Sequence, residues 1–368
     1  MKRKLFIGAC GVIAITGILI AYYVYTINTR NVIETLISSK KIINILIGGS
    51  NTYNRDRHRL YALVSINPEN GKIVVTFIPP SFNLNSHRKG SSPLRIDEVD
   101  FTSFKKVSDA LNNNLKINIP FYIQLYAPDV KRAVDMIEGV DLFVLDQKRD
   151  RDPIASGVQY FDGERIMRYI NAVDDDSIFR KYDRVQDVLL TLYHNGAMYK
   201  RFATMPFLSE LFSSITTNML PQELLSLSEI LLKRSEMLCA TLPATMSEDG
   251  VFHFDDIAYK IYESKILKRL VIKDTTAPSI KVKILNGSGV PGLARKIRNI
   301  LIRDGLSVME FGTSPYPPID KTVIINQKGD MAEAIKVSEL LGINQIYHVV
   351  DNTQLHSVLI ILGKDLAK

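Results

Sequence analysis

The stretch LYALVSINPENGKIVVTFIPP, residues 60 to 80, decides the fold class. It predicts two strands joined by a hairpin around Glu69, Asn70 and Gly71, because two apolar runs rich in β-branched residues flank a short turn-forming segment. The preceding run IINILIGGS, residues 42 to 50, predicts a buried strand that ends in a glycine turn. Three successive strands therefore open this part of the chain.

Helix-like and strand-like segments alternate after the hairpin. Residues 101 to 146 contain FTSFKKVSDALNNN, FYIQLYA, PDVKRAVDMIEG and VDLFVLD, and this alternation predicts an α/β domain. Residues 163 to 200 predict helices with an acidic interruption, and residues 205 to 240 predict further helices with Leu and Met in the core. In residues 280 to 368 the pattern predicts strand, helix, strand, strand, helix and strand, which is typical of a second, small α/β domain.

The N-terminal segment predicts a membrane anchor. Three cations in the first four residues precede LFIGACGVIAITGILIAYYVY, residues 5 to 25, an uncharged run that is long enough as a helix to cross a hydrocarbon core. The excess of cations before the run predicts a cytoplasmic N-terminus and an extracytoplasmic or periplasmic bulk, held by a single pass through the cytoplasmic membrane. A cleaved signal peptide and lipid modification at Cys10 are the alternatives.

These segments divide the chain of 368 residues into six parts. The predicted parts are a cytoplasmic tail (1–4), a transmembrane anchor (5–25), a connector (26–41), a larger α/β domain (42–270), a linker (271–279) and a C-terminal α/β domain (280–368).

Composition excludes several classes of protein. The formal net charge of +7 suits a phosphorylated substrate or an anionic membrane surface, and an extracytoplasmic bulk removes nucleic acid as a partner. Only Cys239 lies in the bulk, so an intrachain disulfide is excluded. The chain contains neither H-E-x-x-H nor G-x-S-x-G, which argues against a zinc hydrolase and a serine hydrolase.

A glycine-rich stretch raises the question of a dinucleotide cofactor. ILNGSGVPGLARKI, residues 284 to 297, spells G-x-G-x-x-G between a strand-like and a helix-like segment, and Glu310 follows where a ribose-binding acid is usual. The surrounding domain is too short for a full dinucleotide fold and is predicted to lie away from cytoplasmic NAD. We therefore expect no nucleotide cofactor, and we interpret the glycines as a tight turn from strand to helix.

Several stretches of the chain resemble a known family. NILIGGSN, LVSINPENGKI, GVQYFDGERIMRYI and ITTNMLPQELLSLSEILL, in this order between residues 42 and 265, resemble the catalytic domain of the LytR-CpsA-Psr family. IKVKILNGSGVPGLARKIRNILIRDGLSV resembles the C-terminal domain of LytR-type proteins. The resemblance implies an α/β/α sandwich that binds a polyprenyl-pyrophosphate-linked glycan and transfers the glycan phosphate onto peptidoglycan. It also implies arginines and Mg²⁺ on the pyrophosphate, whose charge they neutralise.

The sequence departs from the family at the residues that carry the chemistry. Arg59 stands where the family's R-x-D-T has its aspartate, and Asn51 stands where its G-S-D has one. After the third strand, the family's P-R-D-T corresponds to Pro79 followed by Pro80, Ser81 and Phe82. A guanidinium or a hydroxyl in place of a carboxylate removes a metal ligand and a base. The catalytic residues of this chain are therefore unknown from its sequence.

Other residues are candidates for the pyrophosphate and the metal. Arg55, Arg57 and Arg59, in the loop after the first strand, are predicted to bind the pyrophosphate together with Arg180 and Arg184. A solvated basic loop is the alternative for the first three.

The magnesium candidates are Asp174 and Asp176, whose alternative role is a solvated loop that caps the next helix. The segment SHRKGSSPLR, residues 86 to 95, is expected to be a flexible surface loop.

Three hypotheses of function remain open. The first is a membrane-anchored envelope protein that binds a polyprenyl-phosphate-linked glycan with reduced or absent transferase activity. The second is an active phosphotransferase that attaches a glycan polymer to peptidoglycan. The third is a non-catalytic module that binds peptidoglycan or envelope proteins.

Overall fold

The structure is a computed structural model, and it describes residues 31–51, 59–86, 92–101, 103–145, 154–172, 179–199, 201, 204–213, 215–232, 236–272, 279–316 and 318–367. Its helices are α1 Val32–Ser38, α2 Phe104–Leu115, α3 Ala127–Met136, α4 Gly163–Asn171, α5 Arg180–His194, α6 Gly196–Tyr199, α7 Met205–Ser213, α8 Pro221–Leu232, α9 Asp256–Lys265, α10 Leu293–Arg303 and α11 Ala332–Leu341. Short 3₁₀ helices span Leu267–Leu270 and Lys364–Ala367.

Fifteen strands lie in the described residues. They are β1 Ile43–Ser50, β2 Leu60–Ile66, β3 Ile73–Ile78, β4 Phe121–Tyr126, β5 Val140–Val144, β6 Gly157–Phe161, β7 Thr216–Thr217, β8 Met237–Thr241, β9 Ala244–Met246, β10 Phe252–Phe254, β11 Lys281–Asn286, β12 Ser307–Thr313, β13 Val323–Asn326, β14 Ile346–His348 and β15 Val358–Leu362.

A six-stranded mixed sheet is the centre of the larger domain, with the strand order β7-β4-β1-β2-β3-β8. β2 pairs antiparallel with both β1 and β3, and Val64 lies opposite Ile45 on one side and Val75 on the other. β4 runs parallel to β1, and β8 runs parallel to β3. The predicted hairpin of β2 and β3 is confirmed.

Both faces of this sheet are covered by helices. Ile45 belongs to a core cluster that contains residues of α1, α5 and α8, whereas its neighbour Leu46 belongs to a cluster that contains residues of α2. Successive side chains of a strand point to opposite faces, so an unbroken apolar run is what a sheet covered on both sides requires. The expected mixed α/β sandwich is confirmed.

The prediction of helices throughout residues 205 to 240 is partly wrong. α7 and α8 lie there, but β7 pairs with β4, and β8 forms the edge of the central sheet beside β3. The β8 segment MLCAT is a short apolar run, and periodicity alone does not distinguish such a run from a buried helical segment.

The C-terminal domain contains a five-stranded sheet with the order β12-β11-β15-β13-β14. β11 is parallel to β12 and β15, and β13 is parallel to β14 but antiparallel to β15. Residues of α10 and α11 pack in the core on this sheet, including Leu301 and Val337. The order of elements follows the prediction except that two strands, β14 and β15, follow the last α-helix instead of one.

The glycine-rich stretch forms the predicted turn between β11 and α10. Gly289 and Gly292 have φ angles of 76° and 82°, in the left-handed region that side chains disfavour. Gly292 is the N-cap residue of α10. Glu310, the possible ribose ligand, lies on the edge strand β12 and forms an ion pair of 2.8 Å with Lys283.

The C-terminal domain docks closely on the larger domain. Val350 is 1% exposed and belongs to the core cluster of the larger domain. The Cys239 amide of β8 donates to the Gly329 carbonyl at 2.9 Å, and Arg269 forms ion pairs with Glu236 and Asp330. The two domains are therefore in direct contact through apolar packing, a backbone hydrogen bond and ion pairs.

Within the residues described, no helix combines the length and the apolar character that a membrane span needs. The predicted anchor at residues 5 to 25 lies outside them.

Candidate functional site

The ends of four strands meet at one edge of the central sheet. β1, β3 and β4 run in the same direction and β2 runs against them, so the carboxyl ends of the first three lie beside the start of β2. Ser50 and Asn51, Arg59, and Ser81 therefore come to this edge. Ligands of open α/β sheets commonly bind beyond the carboxyl ends of strands. The structure thus gathers the described positions at which the sequence departs from the family pattern.

Arg59 is held at this edge by a hydrogen bond to a backbone carbonyl and by contact with an aromatic ring. Its Nη1 donates to the Val99 carbonyl, and its guanidinium lies 5.4 Å from the ring centroid of Phe101. Its Nε is buried and has no hydrogen-bond partner among the described residues. A buried guanidinium donor is normally satisfied, so this N–H group is a candidate donor to a ligand.

Ser81, Arg95 and Asp97 form a hydrogen-bonded group next to the end of β3. The Arg95 guanidinium donates to both carboxylate oxygens of Asp97, at 3.1 Å from Nε and 2.7 Å from Nη2. Arg95 Nη2 also donates to Ser81 Oγ at 2.8 Å, and that hydroxyl donates to Asp97 Oδ2 at 3.0 Å. Ser81 has a φ of 54°, in the left-handed region. An ion pair of a carboxylate and a guanidinium thus lies beside Ser81, which stands at the position of the family's aspartate.

The electrostatics of this group keep Asp97 ionised. Burial raises the pKa of Asp97, but the hydrogen bonds from Arg95 and Ser81 outweigh it, so the pKa lies below its ordinary value. Burial raises the pKa of Tyr61 to about 12, while the Arg59 guanidinium acts in the opposite direction and the Asp97 carboxylate adds to the rise. The charges of Arg59 and Asp97 therefore act on the pKa of the same hydroxyl in opposite directions.

The beginning of α5 lies beside this edge. Phe179, the residue before α5, packs edge to face on Phe252 at 5.6 Å between ring centroids, and Phe252 forms an isolated bridge with Phe82. Burial raises the pKa of Tyr182, and the charge of Asp97 adds to the effect. Both observations place the first turn of α5 next to the Ser81 group.

The structure brings Arg180 and Arg184 together on α5, one turn apart, but directs them to different neighbours. Arg180 lies 3.7 Å from Asp183 and 3.5 Å from Asp351 of the C-terminal domain. Arg184 donates to the Ala172 carbonyl beyond α4, and its guanidinium lies 5.8 Å from the ring centroid of Tyr169. Arg184 is thus held against α4, and Arg180 is held at the contact between the domains.

Gln186 is an unusual residue of the same helix. It is 1% exposed, and neither its amide nitrogen nor its amide oxygen has a hydrogen-bond partner among the described residues. A buried amide without partners costs free energy, about 1 to 3 kcal/mol. Such a group is a candidate contact for a polar ligand.

Two acids of α5 were not singled out by the sequence. Asp187 Oδ1 accepts from the Val350 amide at 2.5 Å, and its Oδ2 accepts from the Tyr169 hydroxyl at 2.5 Å. Burial raises the pKa of Asp187 to about 8, although both hydrogen bonds oppose the rise. Burial likewise raises the pKa of Asp183 to about 7, with the Arg180 charge acting against it. Their partners come from elements distant in sequence, so no local pattern indicates them.

Of the segment 86 to 95, which was expected to be a flexible loop, Arg95 is held in place, and residues 87 to 91 lie outside the described residues. Arg95 pairs with Asn83 in an isolated bridge, and its side chain is fixed on Asp97. Of the other candidates, Arg55, Arg57, Asp174 and Asp176 lie outside the described residues.

The described residues contain no preformed cluster of metal-binding side chains. They contain no group of three His, Cys, Asp or Glu side chains that could hold a metal. Mg²⁺ in proteins is usually bound by one or two carboxylates together with phosphate oxygens and water. Asp97 is the carboxylate nearest Ser81 in the hydrogen-bonded group, and both of its oxygens already accept from a cation.

Comparison with protein-family models gives two matches. Residues 89–269 match the model of the LytR_cpsA_psr family. Residues 279–366 match the LytR_C model, which is described as a LytR cell envelope-related transcriptional attenuator.

Individual relatives have low sequence identity and match along most of their own length. The polyisoprenyl-teichoic acid–peptidoglycan teichoic acid transferase TagU of Bacillus anthracis is 23% identical over 282 residues, which cover 69% of this chain and 93% of TagU. The crystal structure of TagV from B. subtilis matches with a TM-score of 0.50 and 19% identity, over 63% of this chain and 98% of TagV. A structure of TagT bound to LIIa-WTA matches with a TM-score of 0.50 and 14% identity, over 63% and 91%. The structural similarity shows a shared fold.

Proposed function

Because this chain carries a LytR-CpsA-Psr family domain followed by a LytR C-terminal domain, we propose that it binds a polyprenyl-pyrophosphate-linked glycan during cell-envelope assembly, with reduced or absent transfer of the glycan phosphate. The name of the relative TagU, a teichoic acid transferase that acts between a polyisoprenyl carrier and peptidoglycan, supports this class of substrate. The proposal includes an anchor at residues 5 to 25, an extracytoplasmic bulk, and a division between the domains at residues 271 to 279.

The observation that carries the proposal is the cationic edge of the central sheet. Arg59 presents a buried Nε without a partner among the described residues, and Arg95 is paired with Asp97 and Ser81 at the end of β3. A pyrophosphate carries several negative charges on adjacent oxygens, and guanidinium groups bind such oxygens with paired hydrogen bonds. Arg55 and Arg57 belong to the proposed binding set because they precede Arg59 in the same loop.

The same edge supports reduced catalysis. Transfer of a glycan phosphate requires stabilisation of the charge that develops on the leaving phosphate, which a metal ion or arginines supply. Arg59 and Ser81 replace two acids, and Asp97 is neutralised by Arg95. The described residues therefore bind phosphate better than they hold a metal. Participation of Mg²⁺ then depends on Asp174 and Asp176.

The test uses the full-length protein in detergent micelles. A short, water-soluble polyprenyl pyrophosphate is titrated by calorimetry, and phosphate release is followed with and without Mg²⁺. We expect binding without magnesium-dependent release. Arg59→Ala should weaken binding roughly tenfold, since a charged hydrogen bond is worth about 1.5 to 3 kcal/mol. Arg303→Ala, which removes an exposed cation in the C-terminal domain, is the matched control.

Each outcome separates the hypotheses. Magnesium-dependent phosphate release that is lost in Asp174→Asn or Asp176→Asn would establish an active phosphotransferase and contradict reduced activity. Equal binding by the Arg59→Ala and wild-type proteins would remove the sheet edge as the pyrophosphate site. A chain that binds no polyprenyl pyrophosphate would leave the module that contacts peptidoglycan or envelope proteins.

A further inference from the structure

Arg95 lies beside the end of β3 with its guanidinium already engaged by a carboxylate of the same chain. Its Nε donates to Asp97 Oδ1 at 3.1 Å and its Nη2 donates to Asp97 Oδ2 at 2.7 Å, so the two side chains form a paired contact. Nη2 also donates to Ser81 Oγ at 2.8 Å, which fixes the guanidinium at this edge of the sheet. The Arg95 side chain is 35% exposed, so a ligand can reach it.

The shape of a guanidinium determines what this contact does to ligand binding. A guanidinium carries N–H bonds on Nε, Nη1 and Nη2, and it holds two oxygens of one phosphate with two neighbouring nitrogens. Those two nitrogens are Nε with Nη2 or Nη1 with Nη2, so each pair includes Nη2. In the described part of the chain, Nη2 of Arg95 has two acceptors and Nε has one, whereas Nη1 has none. Arg95 therefore has no free pair of donors for a phosphate while Asp97 is bound.

Asp97 is an internal anion in the place that two oxygens of a phosphate would take. The hydrogen bonds from Arg95 and Ser81 keep its pKa below the ordinary value, so the carboxylate is ionised. Glu98 differs from it, because its carboxylate lies 3.7 Å from Arg95 Nε and makes no paired contact. An anionic ligand that needs two donors of Arg95 must first displace Asp97. The affinity for that ligand is then reduced by the fraction of molecules in which the ion pair is closed.

We propose that Asp97 is a built-in competitor of the pyrophosphate ligand, which holds Arg95 in the unliganded protein and releases it when the ligand binds. This inference rests on the proposed function, and it assigns to Asp97 a role that lowers the affinity of the site. Only a ligand that binds the Arg95 guanidinium more strongly than a carboxylate does can open the pair. When the ligand leaves, Asp97 closes on Arg95 again, so the cation does not remain unpaired at the edge of the sheet.

The test is a double-mutant cycle in the full-length protein in detergent micelles. The dissociation constants of a short polyprenyl pyrophosphate and of the corresponding phosphate-free polyprenol are measured for the wild type, Asp97→Asn, Arg95→Gln and the double variant. Asp97→Asn keeps the shape of the side chain and removes its charge. Glu98→Gln, which removes the same charge from the next residue, is the matched control. Thermal unfolding by circular dichroism confirms that each variant is folded.

We expect Asp97→Asn to tighten pyrophosphate binding about fivefold, the factor that corresponds to the upper end of measured energies for exposed ion pairs. Glu98→Gln should tighten it by about twofold at most, because it removes charge without freeing a pair of donors. Arg95→Gln should weaken binding. In the Arg95→Gln background, the gain from Asp97→Asn should fall to that of Glu98→Gln, because Asp97 then has no guanidinium to hold. Polyprenol binding should be the same in all variants.

Several results would overturn the inference while leaving the proposed function intact. Unchanged pyrophosphate binding in Asp97→Asn would show that no competition occurs, and weaker binding would make Asp97 a residue that positions Arg95. Equal gains in Asp97→Asn and Glu98→Gln, or a full gain from Asp97→Asn in the Arg95→Gln background, would reduce the effect to general repulsion between charges. Absence of pyrophosphate binding in the wild type and in every variant would overturn the proposed function and this inference together.

Discussion

The backbone amide of Val350 donates to the carboxylate of Asp187 across the boundary between the two domains, at 2.5 Å. The Val350 side chain is buried in the core of the larger domain, and Asp187 is buried on α5. Val350 therefore joins the domains by a polar contact of its amide and by an apolar contact of its side chain. A buried amide needs an acceptor, so Asp187 satisfies a group that docking removes from water.

Removal of the Asp187 carboxylate should loosen the domain contact. Asp187→Ala leaves the Val350 amide and the Tyr169 hydroxyl without their acceptor. Unsatisfied buried groups cost about 1 to 3 kcal/mol each, so we expect a lower melting temperature by circular dichroism. The chain contains no Trp, which excludes tryptophan fluorescence as the probe. Glu339→Ala, at an exposed position of α11, should change little, and equal effects of the two variants would contradict the assignment.

The free energy of unfolding should fall as the pH rises from about 6.5 to about 8.5. The pKa of Asp187 rises to about 8 and that of Asp183 to about 7 on folding, from the ordinary value of 3.8, so the folded state binds protons more tightly. Their stabilisation is complete below the unfolded pKa and is lost as the pH passes the folded pKa.

In the pH range from about 6.5 to 8.5, His348 contributes little to the change of stability with pH. Burial lowers the pKa of His348 to about 3, so this group raises stability with pH only below its ordinary value of 6.5. Between about pH 6.5 and 8.5 we expect a loss of about 1 to 2 kcal/mol in chemical denaturation. Asp187→Asn should flatten the curve, and an unchanged slope in this variant would assign the effect to other groups.

Gly329 should tolerate no side chain. A Cβ at this position would lie 1.9 Å from the Cys239 carbonyl oxygen, which belongs to the strand that Gly329 contacts in the larger domain. Gly329→Ala should therefore push the domains apart and lower the melting temperature. At Gly312 of β12 a Cβ meets no atom within 4 Å, so Gly312→Ala is the matched control. A Gly329→Ala protein as stable as the control would contradict the close approach.

Cys239 should report on opening of the domain contact. Burial raises the pKa of its thiol to about 12, so the reactive thiolate is scarce in the closed protein. With Cys10 replaced by Ser, labelling by a thiol reagent should be slow. It should accelerate in Asp187→Ala and stay slow in Glu339→Ala. Rapid labelling of Cys239 in the protein that retains Asp187 would show that β8 is accessible without opening of the domain contact.

A carboxylate at Ser81 should create affinity for magnesium. Ser81 donates to Asp97, so Ser81→Asp would place a second carboxylate beside the first. The left-handed φ of Ser81 is one that Asp adopts more readily than most residues. Calorimetry with Mg²⁺ should detect binding by Ser81→Asp and none by Ser81→Asn, which has the same shape without the charge. Equal titrations would show that Arg95 still neutralises the site.

The central sheet could be predicted because its information is local. The apolar runs of β1, β2 and β3 and the turn at Glu69 to Gly71 lie next to one another in sequence, and each favours the same fold. β8 was assigned to a helix because its strand character comes from pairing with β3, far away in the chain. A preference that depends on tertiary pairing overrides local periodicity.

Of the candidate site, only cationic residues could be predicted from the sequence. Arg59 was indicated by a motif, whereas Asp97 was not, because its place in the site depends on a hydrogen bond with Ser81 from a separate segment. Asp187 depends in the same way on Val350. Burial of a charged residue and the identity of its partners are properties of the folded chain, and spacing in the sequence does not contain them.

The burial of Val350 has a consequence for the order in which the protein is made. A ribosome produces the larger domain first, and domains generally begin to fold as they emerge. The core of the larger domain includes the side chain of Val350, which is synthesised after all strands of that domain. A nascent or prematurely terminated chain therefore exposes an apolar recess until residue 350 is available, and it is during this interval that chaperones and proteases should recognise it.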